Sequence, residues 1–276
     1  MSGTRSISPN ISLCIPHWQV RDMMSICLRS IRKHSRKYDL EVIVVDNGSR
    51  DGSLDYLRSL PWIRLIERPD EGVANWPANV YTAWDLGARA ARGEFFVTMH
   101  SDVFVRDDDW LDPFLREFAG SPRVAAAGAW KLTLENPIYA FQKRIVGSCL
   151  AQVKRWFGRR ARSSFREGHY PRDYCAMYRT SVLVENNFSF CTDGDLITGG
   201  YSIARRLWSA NYETRMIPVW EIAQKIVHVA HGTAAVTSEK PLHHRRAQRQ
   251  AENRARALMA EDWIETLRRE SALDAA

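Results

Sequence analysis

Residues 42–53 read VIVVDNGSRDGS, and this stretch decides the fold. Its apolar half, together with Glu41, has no alternation of polar and apolar residues, which is typical of a strand buried on both faces of a parallel sheet. The polar half carries turn residues at Asp46 to Ser49 and a second Asp-Gly pair at Asp51-Gly52. The stretch therefore predicts a central strand that ends in a polar turn.

The same alternation extends to both sides of this stretch. Apolar runs that predict strands lie at residues 11–15, 62–66, 95–99, 124–129 and 214–218. Apolar residues at helical spacing predict helices in the segments between them and at 203–209. Strands and helices in alternation form βαβ units around a mostly parallel sheet, so we expect a Rossmann-like α/β fold with flanking helices. We expect one domain over residues 10–235 and a basic helical tail over residues 236–276.

Composition limits the class of protein. The chain has 276 residues, 45% of them hydrophobic, and a net charge of +7, which predicts a folded domain with a basic surface. Five scattered cysteines without a CxxC pair argue against a disulfide framework and a zinc cluster. No apolar run approaches the roughly 18 to 20 residues of a membrane span, and residues 1–10 lack a signal sequence. We therefore expect a cytoplasmic protein.

Polar residues follow several of the predicted strands. They are His17 after the first strand, Asp46 after the second, Glu67 after the third and Asp102 after the fourth. Parallel α/β sheets bind ligands at the carboxyl ends of their strands. We therefore expect these side chains to meet at one edge of the sheet.

In their order along the chain, these motifs resemble the family 2 glycosyltransferases, which use nucleotide-sugar donors and have the GT-A fold. The resemblance covers about residues 10–235, and residues 42–53 carry its most specific part. The other matching stretches are residues 11–16, 86–94 (LGARAARGE), 95–103 (FFVTMHSDV), 176–179 (AMYR) and the segment that ends at 210–212. The resemblance implies an inverting hexosyl- or deoxyhexosyltransferase that takes a UDP-, GDP- or dTDP-linked sugar to a glycan or lipid-linked acceptor.

The resemblance also implies a nucleotide pocket. Asp46 corresponds to the family's base-contacting aspartate, although an aspartate here could also cap its own turn. Asp51 could contact the ribose or shape the turn. The complete predicted pocket consists of Pro16, His17, Asp46, Asp51, Arg89 and Ser101.

A metal site is implied where the family has an Asp-x-Asp motif. Here the triplet is His100-Ser101-Asp102, so only the last carboxylate remains to bind Mn²⁺ or Mg²⁺ with the donor phosphates. His100 could contact ribose or the metal. A second ligand is expected from His228 or His231, with His231 preferred, because imidazole is a good ligand of Mn²⁺.

The family's general base is a carboxylate in a Glu-Asp pair, which here reads Thr192-Asp193. Asp193 or Asp195 is the expected base for the acceptor hydroxyl, with Asp193 preferred. The alternative is that both belong to a turn next to Gly194.

The basic, aromatic segment 154–166 contains Trp156 and Phe157 and predicts contact with an anionic membrane surface, for which the inner face of the cytoplasmic membrane is the candidate. A solvated loop is the alternative. A nucleotidyltransferase would need a glycine-rich loop after the first strand, where this chain has Pro16-His17-Trp18. A catalytically degenerate scaffold, or a protein that binds nucleic acid or another anionic surface, remains an alternative function. No nucleic-acid-binding motif supports it, so we expect no nucleic-acid partner.

Overall fold

The structure is a computed structural model. It describes residues 10–132, 145–146, 149–150, 152–153, 156–157, 169–192, 198–237, 239 and 245–275. None of its described helices is long and apolar enough to cross a lipid bilayer.

A seven-stranded sheet forms the centre of the molecule, with the strand order β3-β2-β1-β4-β7-β6-β8. Every neighbouring pair is parallel except the two pairs that involve β7. Two short strands, β5 and β9, pair antiparallel in a separate small sheet. The strands are β1 (Ile11–His17), β2 (Leu40–Asp46), β3 (Ile63–Glu67), β4 (Phe95–Met99), β5 (Val103–Val105), β6 (Val124–Ala129), β7 (Cys175–Arg179), β8 (Glu213–Ile217) and β9 (Ile226–His228).

Helices cover both faces of the large sheet. They are α1 (Arg21–His34), α2 (Ser53–Arg58), α3 (Ala78–Ala90), α4 (Asp112–Phe118), α5 (Thr180–Glu185), α6 (Gly199–Ser209), α7 (Val219–Lys225), α8 (Gly232–Val236), α9 (Arg245–Met259) and α10 (Asp262–Arg269). Two 3₁₀ turns complete the described elements, at Val73–Asn75 and Ser271–Asp274.

Successive residues of the central strands supply two separate cores. Val42 and Val44 of β2 pack in one core with α1 and α4, whereas Ile43 and Val45 pack in the other with α3 and α6. Because side chains alternate across a strand, a strand with helices on both faces must be apolar at every position. This explains the continuous VIVV run.

Helix α3 approaches β1 closely at a glycine. A Cβ atom at Gly87 would lie 2.2 Å from the sulfur of Cys14, which is fully buried. The glycine therefore permits the close packing between this helix and the sheet.

The predicted fold class is confirmed: the protein is α/β, with a mostly parallel central sheet between helices. The antiparallel direction of β7 and the β5–β9 pair were not predicted. The C-terminal tail packs on the domain, where Arg29 of α1 forms a 2.5 Å ion pair with Asp274 and Lys33 forms a 2.8 Å pair with Glu270. Ala251, Ala255 and Leu258 of α9 are buried, so the apolar face of this helix packs against the rest of the protein.

Candidate active site

The carboxyl ends of β1, β2 and β4 lie at the same edge of the sheet. His17 is the register partner of Asp46 across the β1–β2 pair, and Cys14 is the partner of Thr98 across β1–β4. The turn that follows β4 begins at His100, one residue after the strand ends. The sheet therefore brings together three of the predicted polar positions.

Asp46 organises the turn that follows β2. One of its carboxylate oxygens accepts hydrogen bonds from the backbone amides of Gly48 (3.1 Å) and Ser49 (3.0 Å), and the other accepts the Ser49 hydroxyl at 2.5 Å. Asp46 is only 1% exposed. The turn-capping interpretation of this residue is therefore visible in the structure. A carboxylate offers about four acceptor positions, so capacity for a further donor remains.

Asp51 caps the start of α2 in a similar way. Its carboxylate accepts bonds from the backbone amides of Arg21 and Ser53, both at 3.1 Å, and from the Ser53 hydroxyl at 2.5 Å. Partial burial opposes ionisation, but these bonds outweigh it and lower the pKa of Asp51. The residue is exposed at the rim of the same loop.

His17 is buried at the end of β1, and neither ring nitrogen has a hydrogen-bond partner in the described structure. Burial lowers the pKa of His17 to about 4, against the partial opposition of Asp46 and Asp51. The ring is therefore neutral near pH 7, and it carries an unsatisfied donor and acceptor behind the β2 turn.

Asp102, His100 and His228 form a cluster after β4. The Nε2 atom of His228 lies 3.3 Å from Oδ1 of Asp102, without hydrogen-bond geometry, and Nδ1 of His100 lies 3.7 Å from the same oxygen. One ligand atom from each residue falls within 4.8 Å of the others. A carboxylate and two imidazoles at this spacing form a candidate metal site.

Backbone pairing and aromatic packing hold this cluster in place. The β5–β9 register sets Val103 opposite His228, and the Gly232 amide donates to Oδ2 of Asp102 at 2.8 Å. The ring of His228 stacks on Tyr174 with centroids 4.7 Å apart, and that of His100 stacks on Trp84 at 5.6 Å. Among the described residues, neither Oδ1 of Asp102 nor Nε2 of His228 has a hydrogen-bond partner.

The ionisation states suit cation binding. Burial alone would raise the pKa of Asp102, but His228, His100 and the Gly232 amide hold it well below its usual range. Burial lowers the pKa of His100 in spite of Asp102 nearby. The carboxylate is therefore charged and the His100 ring neutral at pH 7, which are the forms that bind metals.

The remaining predicted residues are placed differently. Pro16 is buried within β1 and Ser101 is half-buried in the turn after β4, both at the expected edge. Arg89 is exposed in the last turn of α3, at the opposite edge, where the Arg92 amide contacts Ser12 near the beginning of β1. The structure therefore does not bring Arg89 to the predicted nucleotide pocket, because α3 runs away from the carboxyl edge before β4 begins.

The preferred second metal ligand, His231, is not the histidine that lies next to Asp102. His228, not His231, joins the cluster with Asp102, and His100 is its third member. His231 begins α8 in the left-handed conformation (φ 67°) and is exposed. The predicted bases Asp193 and Asp195 lie outside the described residues. The segment before them is anchored by Asp85, which accepts the Phe190 amide at 2.8 Å.

Comparison with known proteins agrees with this architecture. The model of the family described as Glycosyl transferase family 2 matches residues 12–186, more than half of the chain. The putative glycosyltransferase EpsH of Bacillus subtilis (strain 168) is 27% identical over 110 residues, which cover 38% of this chain and 28% of EpsH. The O-antigen biosynthesis protein RfbC of Myxococcus xanthus is 27% identical over 132 residues, 48% of this chain and 10% of RfbC. The chain thus spans well under a third of either relative's length.

Among solved structures, the mannosyltransferase PcManGT from Pyrobaculum calidifontis, in complex with GDP-Man and Mn²⁺, has a similar fold. The match has a TM-score of 0.54 and 18% sequence identity, and it covers 97% of this chain and 74% of that one. The family match, the strand order and the cluster after β4 lead to the same assignment. The chain belongs to glycosyl transferase family 2.

Proposed function

We propose that the protein transfers a sugar from a nucleotide-sugar donor to a saccharide acceptor, with a divalent cation held by His100, Asp102 and His228. The observation that carries this proposal is the position of this cluster. Two of its three residues follow β4 directly, beside the carboxyl ends of β1 and β2, the edge at which open α/β sheets bind their ligands.

The residues present fit a divalent cation. Oδ1 of Asp102 and Nε2 of His228 are buried polar atoms without a hydrogen-bond partner. Buried polar atoms are normally satisfied, so two that converge support a missing ligand. A mixed nitrogen and oxygen donor set suits Mn²⁺, whereas Mg²⁺ prefers oxygen alone. When bound, such a cation offsets the negative charge of the departing diphosphate.

The chain's own residues supply the rest of the donor pocket. The loop held by Asp46 shapes the wall of this pocket, and Asp46 retains acceptor capacity for an N–H of the base. We assign the buried His17 and Pro16 to the base of this pocket and the exposed Asp51 to its rim, where its carboxylate would accept a hydrogen bond from a ribose hydroxyl. Ser101 lies between two metal-binding side chains, where its hydroxyl can donate to a phosphate oxygen.

The transfer also needs a base for the acceptor hydroxyl. We assign this role to Asp193 or Asp195, with inversion at the anomeric carbon. The resemblance to the family, whose base is a carboxylate in a Glu-Asp pair, supports this assignment, although Thr192 replaces the Glu here. Asp85 supports the assignment, since it fixes the residues that lead into this segment.

Similar proteins suggest which donors and acceptors to test first. GDP-mannose and Mn²⁺ are the first candidates, since the solved relative was captured with both. UDP- and dTDP-linked hexoses or deoxyhexoses are the other donors to examine. A glycan or lipid-linked saccharide is the proposed acceptor, in polysaccharide biosynthesis, in keeping with the name of the Myxococcus xanthus relative.

A membrane surface is the proposed location of the acceptor. Val146, Leu150, Val153 and Phe157 occur four, three and four residues apart, and each is at least 50% exposed, as is Trp156 at 86%. The described residues from 145 to 156 are helical, so this spacing gives one apolar face. Basic residues surround it in the sequence, which favours anionic lipid headgroups.

The donor site is tested by ligand-induced thermal stabilisation. We expect UDP, GDP or dTDP to raise the melting temperature more with Mn²⁺ than with Mg²⁺, and more with Mg²⁺ than with EDTA. Asp102→Asn should abolish the metal-dependent part, since it removes the charge but keeps an acceptor for the Gly232 amide. A catalytically silent scaffold would respond to no nucleotide, and a nucleic-acid-binding protein would instead retain an oligonucleotide with a steep dependence on salt.

The membrane contact is tested with lipid vesicles. The wild type should sediment with vesicles that contain phosphatidylglycerol and much less with phosphatidylcholine alone. Replacing both Trp156 and Phe157 by alanine should weaken this binding. The matched control is Trp220→Ala, which removes another exposed tryptophan, 59% accessible, from α7. Equal binding by the double variant and the control would contradict the proposed surface.

A further inference from the structure

The sheet continues past the metal cluster to β7 and β6, and the carboxyl edge there carries a second group of side chains. Because β7 is antiparallel, its beginning lies at the same edge as the end of β6. Trp130 follows β6 directly, and residues 169–174 lead into β7. The backbone amide of Arg172 donates to the carbonyl of Ala129 at 3.0 Å, which ties the two segments together.

Aromatic rings form a wall at this edge. Trp130 meets Tyr170 edge to face, with centroids 5.2 Å apart, and His169 at 5.1 Å. Tyr170 is fully buried and packs on Tyr201 of α6 at 5.3 Å. Trp130 is only half-buried and His169 is exposed. Part of the wall is therefore accessible to a ligand.

Arg172 lies against this wall, with its guanidinium next to two aromatic rings. Its guanidinium carbon is 5.3 Å from the centroid of the Trp130 ring and 5.4 Å from that of Tyr170, and one nitrogen donates to the Tyr170 hydroxyl at 2.7 Å. In the part of the chain that the structure describes, no carboxylate lies within 4 Å of this guanidinium. The neighbouring Asp173 instead accepts the amide of Gly200 at 3.1 Å.

Arg29 shows how this protein neutralises another arginine of low exposure, and Arg172 differs from it. Arg29 is also largely buried, and it is neutralised by a two-point ion pair with Asp274. Stacking on aromatic rings fixes the orientation of a guanidinium without neutralising it, and its remaining N–H donors match a carboxylate or a phosphate. Arg172 is thus a preoriented anion-binding group.

This group is connected to the metal cluster. Tyr174, two residues after Arg172, stacks on His228, and its carbonyl accepts the amide of His100 at 3.0 Å. An anion held by Arg172 would therefore lie next to the proposed reaction centre, on the side away from the β1–β2 pocket.

We propose that Trp130 and Arg172 form an acceptor subsite that selects a saccharide with a carboxylate or phosphate group. The inference rests on the proposed transferase function and names the chemical class of its acceptor. A sugar ring packs on the half-buried Trp130, as sugars commonly do on aromatic rings, while its anionic group pairs with Arg172. The nucleotide pocket lies two or more strands away, on the other side of β4, so the anion belongs to the acceptor.

The experiment compares three probes by calorimetry: glucuronic acid, glucose 6-phosphate and the uncharged methyl glucoside. Each is titrated into the wild type, both free and saturated with Mn²⁺ and GDP or UDP. We expect at least one charged sugar to bind about ten-fold more tightly than methyl glucoside, which is the usual worth of one charge-assisted contact. Arg172→Met should remove this preference and leave the affinity for the nucleotide within about two-fold.

Three variants make the result specific. Arg172→Lys keeps the charge without the planar guanidinium and should retain part of the preference. Trp130→Ala should weaken all three sugars. The matched control is Arg123→Met, at the opposite end of β6, which should change none of these affinities; its guanidinium contacts the Asn211 carbonyl.

Two outcomes would overturn the subsite. One is equal binding of charged and uncharged sugars by the wild type. The other is an Arg172→Met protein, folded by circular dichroism, that loses nucleotide affinity and keeps its sugar preference, since Arg172 would then contact the donor phosphates. Failure of the wild type to bind any nucleotide would refute the proposed function alone, because the titrations on the free protein test the subsite separately.

Discussion

Acid should destabilise this protein through one buried histidine. His17 is 2% exposed at the end of β1, and neither ring nitrogen has a partner in the described structure. Burial lowers its pKa to about 4, from an ordinary value of 6.5. The folded protein thus resists protonation of a ring that the unfolded chain protonates readily.

The sign and size of the effect follow from linkage. A group whose pKa is depressed by folding contributes stability above the unfolded pKa and loses it as the pH falls through the folded one. The shift from 6.5 to about 4 corresponds to about 3.4 kcal/mol at full protonation, at roughly 1.36 kcal/mol per pKa unit. Between pH 7.5 and 4.5 the protein should lose about 2.5 kcal/mol of this contribution.

The assay is urea unfolding of the wild type and His17→Leu at pH 7.5, 6.5, 5.5 and 4.5, without nucleotide. Other titrating groups are common to both proteins, so the difference in unfolding free energy isolates His17. We expect the wild type to lose about 2 to 3 kcal/mol relative to the variant between the two extremes. If the two proteins keep the same difference within about 0.5 kcal/mol at every pH, the reasoning is refuted.

Two glycine substitutions test the packing around the site. Gly232→Ala places a Cβ atom 2.6 Å from Cβ of Asp102, so it should cost about 1–3 kcal/mol in thermal or urea unfolding and weaken Mn²⁺-dependent nucleotide binding. Gly120→Ala, where nothing lies within 4 Å, should change neither quantity and is its control. Gly87→Ala should also cost about 1–3 kcal/mol, through the clash with Cys14. Adding Cys14→Ala should recover part of that loss in a double-mutant cycle, and strict additivity would contradict the proposed clash.

The central part of the fold could be predicted because its signal is local. Strands β1, β2, β4 and β6 are buried on both faces, so each appears as a continuous apolar run with no competing interpretation. The turn after β2 needs residues that favour tight turns, and Asp46 and Gly48 supply them; Gly48 has φ 78°. Burial and turn chemistry are properties of single segments, and a sequence shows them directly.

Strand direction and short pairings could not be predicted, since they depend on distant segments. The run Cys175–Arg179 has the composition of a strand, but nothing in it states that it pairs antiparallel with β4. Strands β5 and β9 have three residues each, too few to show a period. The position of Arg89 could not be predicted for the same reason. Its motif matches the family, but the direction of α3 relative to the sheet puts Arg89 at the opposite edge.

The β5–β9 pairing determines which of the two histidines, His228 or His231, lies next to Asp102. The two histidines are three residues apart, and either could supply an imidazole. The β5–β9 pair fixes His228 opposite Val103, beside Asp102, whereas His231 has left the strand and begins α8. The candidate metal site therefore depends on a three-residue strand pairing that is too short to be recognised from a sequence period.

His100 stands where the family motif has its first aspartate, and this replacement affects which cation the cluster would bind. The family motif offers two carboxylates, whereas this chain offers one carboxylate and two imidazoles, so the cluster carries one negative charge fewer. It should attract a cation less strongly by charge and more by nitrogen coordination, which favours Mn²⁺ over Mg²⁺. The neutral state of His100 also matters here, because a protonated ring would repel the cation. The same burial that keeps His100 neutral thus makes a histidine at this position compatible with metal-assisted transfer.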